Sequence, residues 1–294
     1  MDAEVKTMAK NILHTIEKNM SGFSKGQKLI AHFILENYDK AAFMTASKLG
    51  KTVQVSESTV VRFATQLGYD GYPSMQRALQ EMIRGKLTSL QRIEASDGAL
   101  AGSDLLTNVL QRDMEKIRIA IDQTDTHDFE RVVDTVATAR KIYIVGFRSS
   151  SFLAGYLNFY FRMIFDNVVL VTGGEAGLFD QLFRVAPEDV LITISFPRYS
   201  ELAIKAVQFA KDRGATIVGL TDSEMSPIYQ LSTCSLLIRN EMISFVDSLA
   251  APMSMLNALI LAAARKKGAD ISATFTELEH VWDRFGIFGK VADE

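Results

Sequence analysis

Five short runs in the second half of the chain limit what it can fold into. Lys141-Ile-Tyr-Ile-Val-Gly146, Val168–Val171, Val190–Ile194, Thr216–Leu220 and Ser235–Ile238 are apolar at consecutive positions rather than at alternate ones. A strand with one wet face alternates apolar and polar residues, whereas a run without alternation is covered on both faces. Between the runs lie segments of helical period, Ser151–Phe165, Ala176–Arg184 and Ser200–Asp212. Strands that alternate with helices imply parallel βαβ units, so the expected fold here is a doubly wound, parallel, five-stranded α/β sandwich. Helical patterns at Asp104–Ile121 and Asp128–Ala139 precede it.

Such sheets bind ligands beyond the carboxyl ends of their strands. The first run leads into Gly146-Phe147-Arg148-Ser149-Ser150-Ser151, the third into Ser195-Phe196-Pro197-Arg198-Tyr199-Ser200, and the fourth into Thr221-Asp222-Ser223. Small hydroxyl side chains and free backbone amides at a helix start suit an anionic group, because the amides and the helix dipole point at it. Arg148 and Arg198 add guanidinium groups able to clamp a phosphate in two hydrogen bonds. Serines acting as plain helix caps would account for one such loop. Two loops of the same chemistry at strand ends favour an anion site.

The N-terminal third has a different texture. Thr45–Tyr72 reads TASKLGKTVQVSESTVVRFATQLGYDGY. A short helix around Ala46–Leu49 meets a corner at Gly50 and Val53, and Ser56 then supplies the side-chain oxygen that caps a helix running to Leu67. Gly68 stands where glycine commonly ends a helix. Val60, Val61, Ala64 and Leu67 recur at helical spacing as an inner face, leaving Ser58, Thr59, Arg62 and Gln66 on the outside. Two short helices joined by a tight turn, the second with a polar outer face, describe a helix-turn-helix, and an arginine among small hydroxyls can reach guanine edges or phosphates in a major groove. Around it, Ser24 caps a helix to Asn37 with a stripe of Leu29, Ile30, Phe33 and Ile34. Val5–Asn19 carries Met8, Ile12 and Ile16 in register, and a helix from Ser74 to about Lys86 follows the turn cluster Gly68–Pro73. The expectation is a five-helix DNA-binding domain over residues 1–92. A small, polar, glycine-containing linker follows at 93–103 (EASDGALAGS from Glu94), and the α/β domain occupies 104–294.

Charge supports that division. The net charge of −3 is the sum of +5 over residues 1–92, where 13 Lys and Arg face 8 Asp and Glu, and −8 over 93–294, where 19 face 27. The positive excess sits with the module expected to meet a duplex. The 48% apolar and 23% charged content is that of a soluble globular protein. No uncharged apolar run of membrane-spanning length and no secretion signal is apparent, and Cys234 is alone, so neither a disulfide framework nor a membrane is expected and the cytoplasm is the expected compartment.

With those residues in hand, the chain resembles a known family. VSESTVVRFATQLGYDGY is similar to the helix-turn-helix of RpiR/MurR-type regulators, and residues from about Asp125 to Ile271 resemble a SIS (sugar isomerase) domain. The resemblance implies a transcription regulator in which a phosphosugar held by the SIS domain changes how a dimer or tetramer presents its DNA-binding domains. It implies that Ser150 is the phosphate-contacting serine after the first strand, with Gly146 permitting close backbone approach, and that Ser195 and Ser200 are the first and last hydroxyls of the second loop. It also implies that Glu57, Ser58 and Arg62 face base edges and Thr59 faces phosphate. The full candidate sets are Lys48, Gln54, Ser56, Glu57, Ser58, Thr59 and Arg62 for a DNA operator, and Gly146, Arg148, Ser149, Ser150, Ser195, Arg198, Ser200 and Asp222 for a sugar-phosphate effector. Two departures stand out: Arg148 replaces the second glycine of Gly-x-Gly-x-Ser, and Pro197-Arg198 replaces Ser-Gly in Ser-x-Ser-Gly-x-Thr/Ser. Two arginines entering the loops either strengthen phosphate binding or fill the site.

The competing reading is a sugar-phosphate isomerase, since SIS domains also catalyse such steps. It needs a positioned general base. His14, His32, His127 and His280 are far in sequence from the strand ends, and Glu175 and Glu201 read as surface groups, so no catalytic residue is expected. Neither G-x-G-x-x-G after the first strand nor a Walker A motif is present, and no Cys/His cluster has metal-ligand spacing, so neither a cofactor nor a metal is expected. A homodimer or homotetramer is expected, because one helix-turn-helix contacts too few phosphates alone. Phe245–Ala264 and the amphipathic Phe275–Phe288 could each be core or a two-fold interface.

Overall fold

A computed structural model describes residues 12–83, 88–93, 104–239 and 245–289, in two compact units, Met1–Ala101 and Gly102–Glu294. The linker read at 93–103 lies outside the described residues apart from Ile93, as do Met8 and Lys86.

The first unit is helical: α1 (Ile12–Asn19), a 3-10 turn at Met20–Gly22, α2 (Lys25–Glu36), α3 (Tyr38–Ala41), α4 (Ala46–Thr52), α5 (Glu57–Gln66) and α6 (Gly71–Ile83), with a further helical stretch over 89–93. Five helices was therefore an underestimate. Ser24 caps α2 in a reciprocal capping box with Gln27. The buried face of α2 is Gln27, Ile30, Ala31 and Ile34, while Leu29 faces solvent at 46% exposure. Helix α6 begins at Gly71, so Pro73 lies in its first turn, where a missing N–H costs nothing.

The second unit opens with α7 (Leu105–Gln123), capped by Asp104, and α8 (Thr126–Ala137), capped by Asp125. It continues as β1 (Ile142–Gly146), α9 (Ser150–Ile164), β2 (Val168–Val171), α10 (Glu175–Leu182), β3 (Val190–Ile194), α11 (Glu201–Asp212), β4 (Thr216–Thr221), α12 (Pro227–Leu231), β5 (Cys234–Leu237), α13 (Ala250–Lys267) and α14 (Ala269–Phe285). The short α12, capped by Ser226 with Pro227 in its first turn, had no sequence expectation. The five strands are all parallel in the order β2-β1-β3-β4-β5. Period-two alternation splits their side chains between two cores. Ile142, Ile144, Ile192 and Leu220 meet α8, α9 and α13 on one face; Tyr143, Val145, Leu191 and Ile217 meet α10, α11 and α12 on the other. The central strands β1 and β3 are buried at every position, as unbroken apolar runs require. The long apolar stretch from Phe245 becomes helical only at Ala250, and Phe245 and Val246 are exposed. Among the described helices none is long and apolar enough to cross a membrane.

Candidate functional site

In this strand order the chain leaves β1 toward β2 on one side and resumes at β3 on the other. The connections after β1 and β3 diverge and leave a crevice at their carboxyl ends, the topological switch point. Gly146 and Ile194 are register partners at those ends. The loops carrying Arg148–Ser150 and Ser195–Ser200 thus leave the sheet side by side, at about 5 Å strand spacing. Sequence reading had put both loops at strand ends; the strand order adds that they flank one crevice.

Each loop is held by its own contacts. In the first, the amides of Ser150, Ser151 and Phe152 donate to the carbonyls of Phe147, Arg148 and Ser149 at 3.2, 3.0 and 3.4 Å. Three amides expected to await an anion are therefore occupied, leaving those of Arg148 and Ser149 without a backbone acceptor among the described residues. Ser149 is exposed, and its hydroxyl donates to Asp247 at 3.4 Å. At Gly146 the close approach is between strand and helix: an added Cβ would lie 2.5 Å from the Ser150 carbonyl oxygen and 2.9 Å from the Ala154 methyl. In the second loop, Ser195 donates its amide to Leu220, and Ser200 starts α11 without a side-chain cap bond, so the first amides of that helix are not taken by its hydroxyl. Asp222 is buried and accepts from the Tyr199 hydroxyl at 2.8 Å, which makes it an anchor of the second loop.

Two observations single the crevice out. Ser150 and Ser195 are 5% and 3% exposed, and neither hydroxyl meets a hydrogen-bond partner among the described residues. Neither oxygen is sealed from solvent, so each hydroxyl remains able to donate to a ligand oxygen. Second, Arg148 and Arg198 have φ of +55° and +66°, the left-handed region that favours glycine, at a cost of about 1 kcal/mol or more each. In both loops arginine thus holds a backbone conformation that glycine adopts without strain. Both arginines are exposed, so neither is sealed inside the crevice, and the Arg148 guanidinium makes no ion pair or hydrogen bond with other described residues.

Glu175 is ion-paired with Lys205, raising the lysine's pKa through the hydrogen bond and charge, and Glu201 lies in the first turn of α11. All four histidines are exposed on helices. No group of three metal-ligating side chains occurs among the described residues. A cavity of about 460 Å³ lies among α9, α13 and α14, next to Tyr156, Tyr160, Asn257, Ile260 and Phe275. Its wall is mostly apolar, which does not suit an anion.

In the first unit, α4 and α5 form the helix-turn-helix. The turn runs through Val53 to Val55, with Gln54 at φ +59°, and Ser56 caps α5 by accepting from Thr59 N at 3.3 Å. Gly50 lies inside α4 rather than at the corner, and its missing side chain admits the Val55 carbonyl, which would be 2.8 Å from a Cβ. Gly68 (φ +90°) closes α5 in a Schellman motif: Gly68 N donates to Thr65 O and Tyr69 N to Ala64 O. The buried face of α5 is Val60, Phe63, Ala64 and Leu67. Val61, expected inside, is 39% exposed, and Phe63 takes its place against Phe23. Gln66 is exposed, as expected, and its amide also accepts from Gln27 at 2.6 Å and donates to Gly22 O.

The outer face of α5 is thus Glu57, Ser58, Val61, Arg62, Thr65 and Gln66, and Lys48, Gln54 and Ser56 are exposed on α4 and the turn. The Arg62 guanidinium makes no ion pair or hydrogen bond with other described residues. Thr59 is half-buried, with its hydroxyl 2.8 Å from that of Ser56; Ser58 lies 2.9 Å from the same oxygen. Val61 and Thr65 were missed as outward residues; the helical angle that groups Glu57 with Arg62 also includes them.

Comparison with known proteins agrees with this geometry. Residues 10–86 match the helix-turn-helix domain of the rpiR family, and residues 135–262 match the SIS domain. An uncharacterised HTH-type transcriptional regulator of Haemophilus influenzae is 29% identical over 74% of this chain and 76% of its own. The HTH-type transcriptional regulator HexR of Pseudomonas aeruginosa is 25% identical over 77% and 78%. The structure of Vibrio vulnificus NanR complexed with ManNAc-6P aligns over 95% of this chain and 100% of that one, with a TM-score of 0.59 and 22% identity, a likeness of fold. The chain belongs to the rpiR family of DNA-binding transcriptional regulators, a helix-turn-helix unit followed by a SIS domain.

Proposed function

We propose that this regulator senses a phosphorylated sugar or related carbohydrate derivative at the β1/β3 crevice and that occupancy alters its hold on an operator. Residues 1–92 then serve as the DNA-binding module and residues 104–294 as the sensing and oligomerisation module, acting in the cytoplasm. The observation that carries the reading is the pair of largely buried serines, Ser150 and Ser195, at adjacent strand ends, whose hydroxyls have no hydrogen-bond partner among the described residues. Phosphate oxygens accept from such hydroxyls, from the amides of Arg148 and Ser149, and from the first turn of α11, where Ser200 leaves amides uncapped. Asp222 serves the site by fixing Tyr199 in the second loop.

The operator is read by the outer face of α5, with Arg62, Ser58 and Glu57 toward base edges and Lys48, Gln54, Ser56 and Thr59 toward the backbone. A homodimer or homotetramer supplies the second half-site. In support, Leu106, Leu110, Met114 and Ile121, spaced by one, one and two helical turns along α7, are 54–73% exposed, an apolar stripe of the kind that pairs subunits.

The test is thermal melting of the full-length protein with glucose 6-phosphate, N-acetylglucosamine 6-phosphate and other phosphorylated sugars against their unphosphorylated counterparts. Stabilisation by phosphorylated members alone is expected. Equal shifts with both members, or none with any, would overturn the reading.

A further inference from the structure

One outward side chain of the helix-turn-helix has no hydrogen bond to offer. The outer face of α5 is polar except at Val61, which is 39% exposed while Val60, Phe63, Ala64 and Leu67 fill the core. Successive residues are about 100° apart around a helix, so with Val60 inside, Val61 is turned to the flank of the outer face. A single exposed valine on an ordinary surface calls for no explanation. This one stands in the second turn of α5, one turn after Glu57 and next to Arg62. The N-terminal turns of a recognition helix are the ones that reach base edges.

Its neighbours define what Val61 meets there. The Glu57 carboxylate and the Arg62 guanidinium make no ion pair or hydrogen bond with other described residues, so both can turn to bases. The hydroxyl of Thr65, one turn further on, donates to the Val61 carbonyl at 3.2 Å, so the helix itself engages that donor. Ser58 and Thr59 are drawn toward the cap, with their hydroxyls 2.9 and 2.8 Å from the Ser56 oxygen. Val61 therefore brings two methyl groups to the groove, between a carboxylate and a guanidinium. Base edges in the major groove present donors and acceptors, and one apolar group, the C5-methyl of thymine.

We propose that Val61 is a specificity-determining residue, its side chain packing on the C5-methyl of a thymine in each operator half-site, beside the base pairs met by Glu57 and Arg62. Cytosine carries hydrogen at that carbon and the purines have no counterpart, so the contact favours thymine at that position. This rests on the reading of α5 as the helix that contacts bases.

Competition gel shifts of the full-length protein test it on a duplex selected from random sequences for tight binding. Each thymine is replaced singly by deoxyuridine, which removes the methyl and keeps every hydrogen-bonding group. One position in each half-site is expected to lose about fourfold in affinity, the effect of burying one methyl. In Val61→Ala, which lacks both γ-methyls, the loss at that position should largely vanish. Val61 lies outside the core, so an unchanged melting temperature is the control for folding. Deoxyuridine tolerated at every thymine would overturn the proposal, as would a selected half-site without thymine, or a loss that Val61→Ala leaves undiminished. In each case α5 remains the base-contacting helix if Arg62→Ala still broadens sequence preference, and that reading falls as well if it does not. Failure to select any sequence would overturn both.

Discussion

Two glycines nine residues apart, Gly146 and Gly155, make opposite predictions for the same substitution. An alanine methyl at Gly146 would sit 2.5 Å from the Ser150 carbonyl oxygen and 2.9 Å from the Ala154 methyl, where a carbon–oxygen contact needs about 3.3 Å or more. The first obstacle is backbone, so the end of β1 and the first turn of α9 must separate by the better part of an ångström. Overpacking of that kind costs about 1–3 kcal/mol. For a unit of roughly 150–250 residues each kcal/mol moves the midpoint by about 2–4 °C, so Gly146→Ala should melt roughly 2–12 °C lower. Gly155 lies within α9 with nothing within 4 Å of an added Cβ. Gly155→Ala there removes only the entropic penalty of glycine, worth about 0.5–1 kcal/mol, and should raise the midpoint by a degree or more. Calorimetric melting of the full-length protein reads both. If Gly146→Ala melts within a degree of the parent, the contact between β1 and α9 is not as close as described and the placement of Ser150 fails with it.

Further outcomes follow from the first unit. Arg62→Ala should weaken operator binding by about 1–3 kcal/mol and broaden sequence preference, read by competition gel shift; an unchanged preference would remove Arg62 from base reading. Gln66→Ala leaves the buried Gln27 amide without its 2.6 Å acceptor and should lower the stability of the unit by about 1–3 kcal/mol in denaturant melts; no loss would mean that the bridge is not formed. Tyr72 donates its hydroxyl to Met44 O at 2.6 Å, and burial pushes its pKa from the ordinary 10.0 up to about 12. The folded state favours the neutral phenol, so its contribution is complete below pH 10 and is lost as pH rises from there through about 12. Alkaline spectrophotometric titration should show a tyrosine ionising late, and Tyr72→Phe should remove that step.

The parts of the fold legible in the sequence are those set by local pattern. Consecutive apolar runs located all five strands to within a residue or so, and Ser24, Ser56 and Asp104 marked helix starts through the amides they accept from, whereas the helix expected from Asp128 begins at Thr126 under an Asp125 cap. What escaped depends on tertiary neighbours. Val61 and Phe63 are both apolar, and only the packing of α2 against α5 decides which is inside. Gln66 looks like any outward amide until Gln27 and Gly22 stand beside it. The same holds at the crevice: the serine loops were visible, but not their adjacency, which strand order alone creates, nor the left-handed backbone of Arg148 and Arg198, which a residue type that rarely adopts it conceals.

The central claim is that an anionic carbohydrate at the crevice controls the grip on DNA. It is tested most directly by fluorescence anisotropy of the full-length protein on its operator as a phosphorylated sugar, identified by thermal stabilisation, is titrated in. The account predicts a dose-dependent change in affinity for the parent protein and none for Ser150→Ala with Ser195→Ala. An unaltered response in the double variant, or a parent protein whose DNA affinity ignores every ligand that stabilises it, would contradict it.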